Sequence, residues 1–147
     1  MGVPQNIKGD KSMYERVRQE IDKLRQGFPN LQCGSELNWV LISEYPLPNL
    51  YNKPQTRLLW NIPPGYPQTP PDDFFVDGDL RLKDGVNPPS FNAGPNSSSG
   101  LAPIEGNWGW FSWHPEQGKW KPLAEIDKGD NLVTFLRAVN ICLRGED

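Results

Sequence analysis

The chain has 147 residues, a net charge of −3 and a hydrophobic fraction of 36%, which predicts a single domain over residues 1–147 with one modest core. Several classes of protein are excluded, because no apolar run is long enough to span a bilayer and the N-terminus lacks the apolar stretch of a secretory signal. Lys and Arg form no cluster of the kind that binds phosphates, so we expect a cytoplasmic protein that binds neither membrane nor nucleic acid.

A helix is the first predicted element, over residues 12–26. Ser12 and Glu15 have the spacing of a capping box, in which each side chain satisfies a backbone N–H group of the first turn. Gly27 is typical of a helix end. Apolar residues recur every three or four positions and predict one buried face, formed by Met13, Val17, Ile21 and Leu24.

Short strands are predicted next, over residues 31–37, 39–45, 57–62 and 73–76, and a chain that runs from a helix into such a meander is typical of an α+β fold with an antiparallel sheet. Residues 77–109 are mostly Gly, Pro, Asn, Ser and Asp, which predicts a long irregular segment with a mobile tip at 96–100. Such a segment is either functional or a plain surface loop. A last helix is predicted over 131–144, with Asp130 as its N-cap; its apolar face comprises Leu132, Phe135, Leu136, Val139 and Leu143.

The run from 56 to 76 resembles the ubiquitin-conjugating enzyme family. That family joins its third and fourth strands by a Tyr-Pro-x-x-Pro-Pro turn, which is supplied here by Tyr66, Pro67, Pro70 and Pro71. Proline has no N–H group, so the chain leaves the sheet at this turn without orphaned donors. The resemblance implies an N-terminal helix packed on a four-stranded antiparallel meander, followed by the active-site segment and a helix.

A second part of the resemblance lies downstream. The family carries Trp-x-Pro about eight residues after its catalytic cysteine, and the Trp-x-Pro of this chain begins at Trp120. The same register places Ser112 at the nucleophile position. Cys33 and Cys142 lie far from that position, and the His-Pro-Asn motif of the family is replaced by 102–104 (Ala-Pro-Ile). The chain therefore resembles divergent bacterial members that lack the catalytic cysteine.

Ser112 and His114 form the candidate catalytic pair. A serine hydroxyl needs a neighbouring base to act as a nucleophile, and the only histidine of the chain lies two residues away. In an extended segment the two side chains share a face. Three interpretations remain open: His114 serves Ser112 as a base, the two are an ordinary loop hydroxyl and a carbonyl-capping histidine, or the serine replaces a native cysteine.

Aromatic and acidic residues surround this pair in the sequence. Trp110, Trp113 and Trp120 either shield an acyl site or pack in the core. Asp127 and Asp130 resemble the acidic residues that assist an incoming lysine, although Asp130 also suits a helix cap. No metal or cofactor is expected, because one histidine and two distant cysteines make no ligand pattern.

The resemblance also implies partners. The first helix of the family usually docks the activating enzyme, and the matching basic residues here are Arg16, Arg18, Lys23 and Arg25. We therefore predict an acyl carrier that takes a ubiquitin-like modifier from an activating enzyme, as an oxyester on Ser112, and passes it to a protein target. The alternative is an inactive domain of the same fold that binds a modifier or a partner enzyme. A small-molecule enzyme is less consistent with the sequence, since no phosphate loop or carboxylate pair is present.

Overall fold

The computed structural model describes residues 3–93, 101–116 and 118–145, with side chains from residue 13 onward. The predicted tip at 96–100 lies outside the described residues. Two α-helices, a short 3-10 helix (Ile126–Lys128) and six strands are present in the described part. The helices are α1 (Val3–Gly27) and α2 (Leu132–Leu143), and the strands are β1 (Gln32–Cys33), β2 (Trp39–Pro46), β3 (Gln55–Asn61), β4 (Phe74–Asp77), β5 (Phe91–Ala93) and β6 (Trp108–Phe111).

The six strands form one sheet in the order β1-β2-β3-β4-β6-β5, and every neighbouring pair is antiparallel. The α+β class and the meander β1 to β4 confirm the predicted fold. The predicted irregular segment is wrong in part, because it contains β5 and β6. These strands are three and four residues long and lie among Gly, Pro and Asn residues, so their sequences show no extended apolar alternation.

The two faces of the sheet carry separate apolar clusters, because side chains alternate along a strand. Both helices pack on one face with Leu58 and Trp60 of β3. The opposite face holds a smaller cluster, made of Leu41, Leu59, Phe75 and Trp108. Ala102 and Ile104 of the segment before β6 pack against that cluster.

The predicted start of α1 is wrong. The helix begins at Val3, so Ser12 lies inside it and is not an N-cap. Pro4 falls in the first turn, where its missing N–H costs no intrahelical bond, and the residues that follow are compatible with a helix. Of the predicted apolar face, Val17, Ile21 and Leu24 are buried, and Met13 is partly buried against the core.

The predicted apolar face of α2 is confirmed, because all five of its residues are buried. Its N-cap is Asn131 rather than Asp130. The Asn131 side chain accepts hydrogen bonds from the backbone N–H groups of Val133 and Thr134, and the Thr134 hydroxyl accepts from the Asn131 N–H at 2.9 Å. Asn is a strong N-cap residue, so the prediction failed by one position.

Glu20 joins the helices to the proline turn. It is fully buried, and its carboxylate accepts hydrogen bonds from Arg16 Nε at 2.7 Å, from the backbone N–H of Leu132 at 2.6 Å and from the Tyr66 hydroxyl. Burial and this neighbouring carboxylate raise the pKa of Tyr66 well above its usual range. A carboxylate at the first turn of α2 also complements the helix dipole, so one side chain stabilises three segments.

Candidate functional site

A groove of about 720 Å³ lies between α2 and the segment that follows β6. Its lining is largely apolar, with a few charged groups at the ends. Twelve residues line it: Ser112, Trp113, His114, Pro115, Glu116, Lys119, Trp120, Asp130, Thr134, Phe135, Ala138 and Ile141. A mostly apolar groove with a few polar groups is the common form of a binding site.

Ser112 lies at the centre of a three-residue turn at the end of β6. The N–H of Trp113 donates to the carbonyl of Phe111 at 2.9 Å, which is the hydrogen bond of a γ-turn. The N–H of Ser112 donates to the carbonyl of Ser90 at 2.9 Å, so the backbone of the turn is held from the side of β5. The residue itself is exposed and is one of the residues that line the groove.

His114 also lines the groove and is exposed. Among the described residues, no hydrogen bond joins the His114 imidazole to the Ser112 hydroxyl. Both side chains border the same groove two residues apart, and catalytic hydrogen bonds are often formed only in the complex with substrate. The geometry is compatible with a base and a nucleophile, and the catalytic roles stay a prediction.

Two residues with unusual backbone conformations flank the turn. Asp73 precedes β4 and has φ of 29°, and Ser90 precedes β5 and has φ of 64°. Non-glycine residues adopt positive φ at a cost in free energy, and such residues cluster at functional sites. Asp73 lies on one side of the segment that holds Ser112, and Ser90 lies on the other.

Asp73 is tied to that segment at two points. Its backbone N–H donates to the carbonyl of Trp113 at 2.7 Å, and its Oδ2 accepts from Trp110 Nε1 at 2.7 Å. Burial is the main cause that raises the pKa of the Asp73 carboxyl to about 6, and it outweighs the Trp110 hydrogen bond, which lowers the pKa. Asp73 therefore ties the start of β4 to the segment that holds Ser112.

The predicted tryptophans divide between the groove and the core. Trp113 lines the groove and also packs against Phe74 and Phe135 of the main core, with ring centroids 5.7 and 5.9 Å apart. Trp110 lies on the opposite face of the sheet, where it packs against the smaller cluster. Trp120 likewise lines the groove and packs against the main core.

Trp120 connects the two sequence motifs that suggested a family. Its Nε1 donates to the carbonyl of Pro67 at 2.7 Å, and its ring lies 6.2 Å from the Tyr66 ring. The peptide bond between Tyr66 and Pro67 is cis, and Pro71 is buried between the turn and β4. The proline turn, which also includes Pro70, therefore contacts the groove-lining Trp120 but does not itself line the groove.

The two predicted acidic residues lie in different places. Asp130 lines the groove, and its carboxylate accepts from the Lys121 N–H at 2.7 Å and from the Thr134 hydroxyl at 3.0 Å. Asp127 is not among the groove-lining residues, and it pairs with Lys23 of α1 at 2.8 Å. The structure therefore brings Asp130 to the same groove as Ser112 and leaves Asp127 outside it.

The predicted basic surface of α1 is not uniform. Arg16 is turned inward: only 13% of its side chain is exposed, and it donates to the carbonyls of Leu123 and Asp130 in addition to Glu20. Arg18 and Arg25 are about half exposed, with 58% and 40% of their side chains accessible. The surface available to a partner is therefore carried by Arg18, Lys23 and Arg25.

Sequence reasoning missed Asp73 and Glu20. Glu20 is one of many charged residues of α1, so its burial was not predicted. Its position three residues after Val17 does place it next to the buried face. Asp73 directly follows another aspartate, so nothing in the sequence distinguishes the two.

Among the described residues, no group of three or more His, Cys, Asp or Glu side chains is placed to hold a metal ion. No helix in the described part of the chain is long and apolar enough to cross a membrane.

The sheet, the proline turn and the groove beside the Trp-x-Pro segment define a domain of the ubiquitin-conjugating type. A family model described as prokaryotic E2 family E matches residues 27–146, and the chain belongs to that family. Membership gives the chain an E2-like role in a ubiquitin-like conjugation pathway, in which such proteins work with an activating enzyme and a modifier. No curated protein and no solved structure gives a significant match.

Proposed function

We propose that this chain is an acyl carrier that uses Ser112 as its nucleophile, in the cytoplasm of a bacterium. It accepts the C-terminal acyl group of a ubiquitin-like modifier from an activating enzyme and passes it to an amine of a protein target. The observation that carries the proposal is that Ser112 is exposed on a tight turn and lines the groove. An extended modifier tail would lie along the apolar lining, with its carbonyl carbon at the serine.

The loading step exchanges one ester for another. The Ser112 oxygen attacks the carbonyl carbon of a thioester between the modifier and the activating enzyme. A C–O bond forms, the C–S bond breaks, and the hydroxyl proton passes through His114 to the departing thiolate. The second step transfers the acyl group to a target amine, and the Ser112 hydroxyl regains a proton. We assign to Asp130, which lines the groove, the role of accepting a proton from that amine.

The loading step is tested by intact mass measurement after incubation with a cognate modifier, its activating enzyme and ATP. The wild-type chain should gain the mass of one modifier, and hydroxylamine should remove it. Ser112→Ala should abolish the adduct, whereas Ser112→Cys should yield a thioester that a thiol reductant cleaves, since thiolates are the better nucleophiles. Ser43→Ala changes an exposed serine of β2 that does not line the groove and should leave the adduct in place. Absence of an adduct on the wild type, or an adduct that survives Ser112→Ala, would refute the proposal.

The second candidate function is a domain that binds the modifier without forming a covalent bond. It is favoured by the lack of a hydrogen bond between Ser112 and His114 among the described residues. In that case the groove binds the modifier tail, and Ser112→Ala leaves affinity unchanged while Ala138→Trp, which fills the groove, abolishes it. Titration calorimetry with the modifier alone distinguishes this function from the carrier.

Docking of the activating enzyme gives a further prediction. Reversing Arg18 and Arg25 to glutamate should weaken binding of the activating enzyme, by roughly 0.2–1 kcal/mol for each exposed ion pair lost. Each of these two arginines pairs with an acidic residue three positions away on α1, and such exposed ion pairs contribute little to stability. The fold should therefore be intact. Lys83→Glu makes a single-charge change on an exposed loop outside α1 and is the control. Equal affinity of the double variant and the wild type in calorimetry would contradict docking on α1.

A further inference from the structure

Arg16 of α1 binds the interior of the protein, although its charge suggested a docking residue. Only 13% of its side chain is exposed. Its three guanidinium nitrogens have three separate acceptors: Nε donates to the Glu20 carboxylate at 2.7 Å, Nη1 to the Leu123 carbonyl at 2.6 Å and Nη2 to the Asp130 carbonyl at 3.3 Å. A planar guanidinium holds several acceptors in fixed positions. Arg16 therefore fixes two points of the chain before α2 relative to α1.

Both of these carbonyls belong to one closed loop, residues 121–130, which leads from Trp120 to the N-cap of α2. The Asp130 N–H donates to the Lys121 carbonyl at 3.0 Å, and the Lys121 N–H donates to the Asp130 carboxylate at 2.7 Å. Gly129 lets the two ends of the loop approach, because a Cβ atom there would lie 2.7 Å from the Lys121 oxygen and 2.7 Å from the Leu123 nitrogen. The 121–130 loop is therefore closed at its base, and Arg16 joins it to α1.

Asp130 is the residue through which the 121–130 loop reaches the groove. It lines the groove, and its two carboxylate oxygens accept hydrogen bonds from the Lys121 N–H and the Thr134 hydroxyl. Its backbone carbonyl is held by Arg16. A group that accepts a proton must lie within hydrogen-bond reach of it, and a displacement of about 1 Å can slow a reaction about 10²-fold. The position of the loop therefore affects any chemistry performed by Asp130.

We propose that Arg16 is a positioning residue for the transfer step, because it holds the 121–130 loop and thereby places the Asp130 carboxylate at the groove. The inference rests on the proposed function, since it concerns the role assigned there to Asp130. In that step the amine nitrogen attacks the carbonyl carbon of the Ser112 ester, a C–N bond forms and the C–O bond breaks. The proton that the nitrogen loses passes to Asp130, and the Ser112 oxygen gains a proton. Arg16 forms and breaks no covalent bond and acts only through Asp130.

The kinetic test uses Arg16→Lys, which keeps a positive charge beside Glu20 although one ammonium nitrogen cannot replace three guanidinium nitrogens. The loaded chain is separated from the activating enzyme and mixed with free lysine, and the modifier–lysine product is followed by intact mass. Transfer should slow by at least about 10-fold, whereas loading, which does not use Asp130, should stay within about 2-fold of the wild type. Arg81→Lys is the matched control, because Arg81 also donates to two carbonyls but does not line the groove. Equal transfer rates for the two variants would overturn the proposal.

A double-mutant cycle separates positioning from a purely structural role. Asp130→Asn removes the proton acceptor but keeps the backbone carbonyl that Arg16 contacts. If Arg16 acts through the carboxylate, Arg16→Lys should slow transfer no further in the Asp130→Asn background, whereas independent effects would add. An effect of the same size in both backgrounds would contradict the proposal.

Gly129→Ala perturbs the 121–130 loop while the Arg16–Glu20 ion pair stays in place. The added Cβ atom would meet the Lys121 oxygen and the Leu123 nitrogen, so the base of the loop must shift. This variant should also slow transfer and leave loading close to the wild-type rate. Unchanged transfer in Gly129→Ala would show that the position of the loop does not matter for the step.

Amide hydrogen exchange on the unloaded protein keeps this inference distinct from the proposed function. The N–H groups of Lys121 and Asp130 close the loop, and in Arg16→Lys they should exchange at least about 10-fold faster, because the loop opens more often. If the wild type forms no adduct, the proposed function fails and the positioning role fails with it, whatever the exchange rates. If the adduct forms but Arg16→Lys changes neither exchange nor transfer, the positioning role alone is refuted and the carrier function remains.

Discussion

Replacing His114 with alanine is expected to slow acylation of Ser112 by roughly 10²–10⁴-fold, the usual contribution of a general base. The side chain is exposed at the groove, so the substitution should leave the fold unchanged. His114 carries the only imidazole of the chain, and it lies two residues from Ser112. The measurement is the initial rate of adduct formation at fixed concentrations of modifier and activating enzyme.

The matched control places the same change in a cysteine background. A thiol is partly ionised near neutral pH and depends less on a base than a hydroxyl does. His114→Ala should therefore cost much less in Ser112→Cys than in the wild type. Glu116→Ala, at another exposed and titratable position of the groove, should leave the wild-type rate nearly unchanged. Equal losses in the serine and cysteine backgrounds would show that His114 acts on binding and not on the hydroxyl.

Glu20→Ala is expected to give the largest loss of stability, about 3–5 kcal/mol of the free energy of unfolding. The substitution leaves Arg16, the Tyr66 hydroxyl and the first N–H of α2 without their shared acceptor in a fully buried position. Unfolding in urea, followed by tryptophan fluorescence, measures the change. Six tryptophans report on the transition.

Two variants test whether the loss of stability in Glu20→Ala comes from the buried hydrogen bonds of Glu20. Glu20→Gln keeps the size and an acceptor oxygen but removes the charge, so its loss should be smaller than that of alanine. Glu15→Ala breaks an exposed ion pair with Arg18 on the same helix and should cost only about 0–1 kcal/mol. Similar stabilities for Glu20→Ala and Glu15→Ala would exclude a stabilising role for the Glu20 network.

Regular patterns made parts of this fold predictable. The apolar face of α2 follows from its spacing alone, and every one of its five positions is buried. The proline turn and Trp120 carried the resemblance, and the structure joins them through the Pro67 carbonyl. The start of α1 was not predictable, because a plausible capping box at Ser12 lies within a longer helix. Local signals cannot show that a better start exists upstream.

Other parts depend on contacts that sequence does not encode locally. Strands β5 and β6 form because they pair with each other and with β4, in a segment whose composition predicts a loop. Asp72 and Asp73 are identical neighbours, yet one is exposed and the other half-buried against Trp110. The difference arises from the left-handed backbone at Asp73, which no residue type in that stretch required.

The segment before β6 packs against the sheet and protects part of its apolar surface. Ala102 and Ile104 cover the sheet face opposite the helices, and the Trp108 indole N–H donates to the Ile104 carbonyl at 3.0 Å. Residues 102–107 therefore cover part of this sheet face without forming a helix or strand. Trimming this stretch to aid crystallisation would strip that cover from Leu59 and Phe75, and the bared apolar surface would favour aggregation.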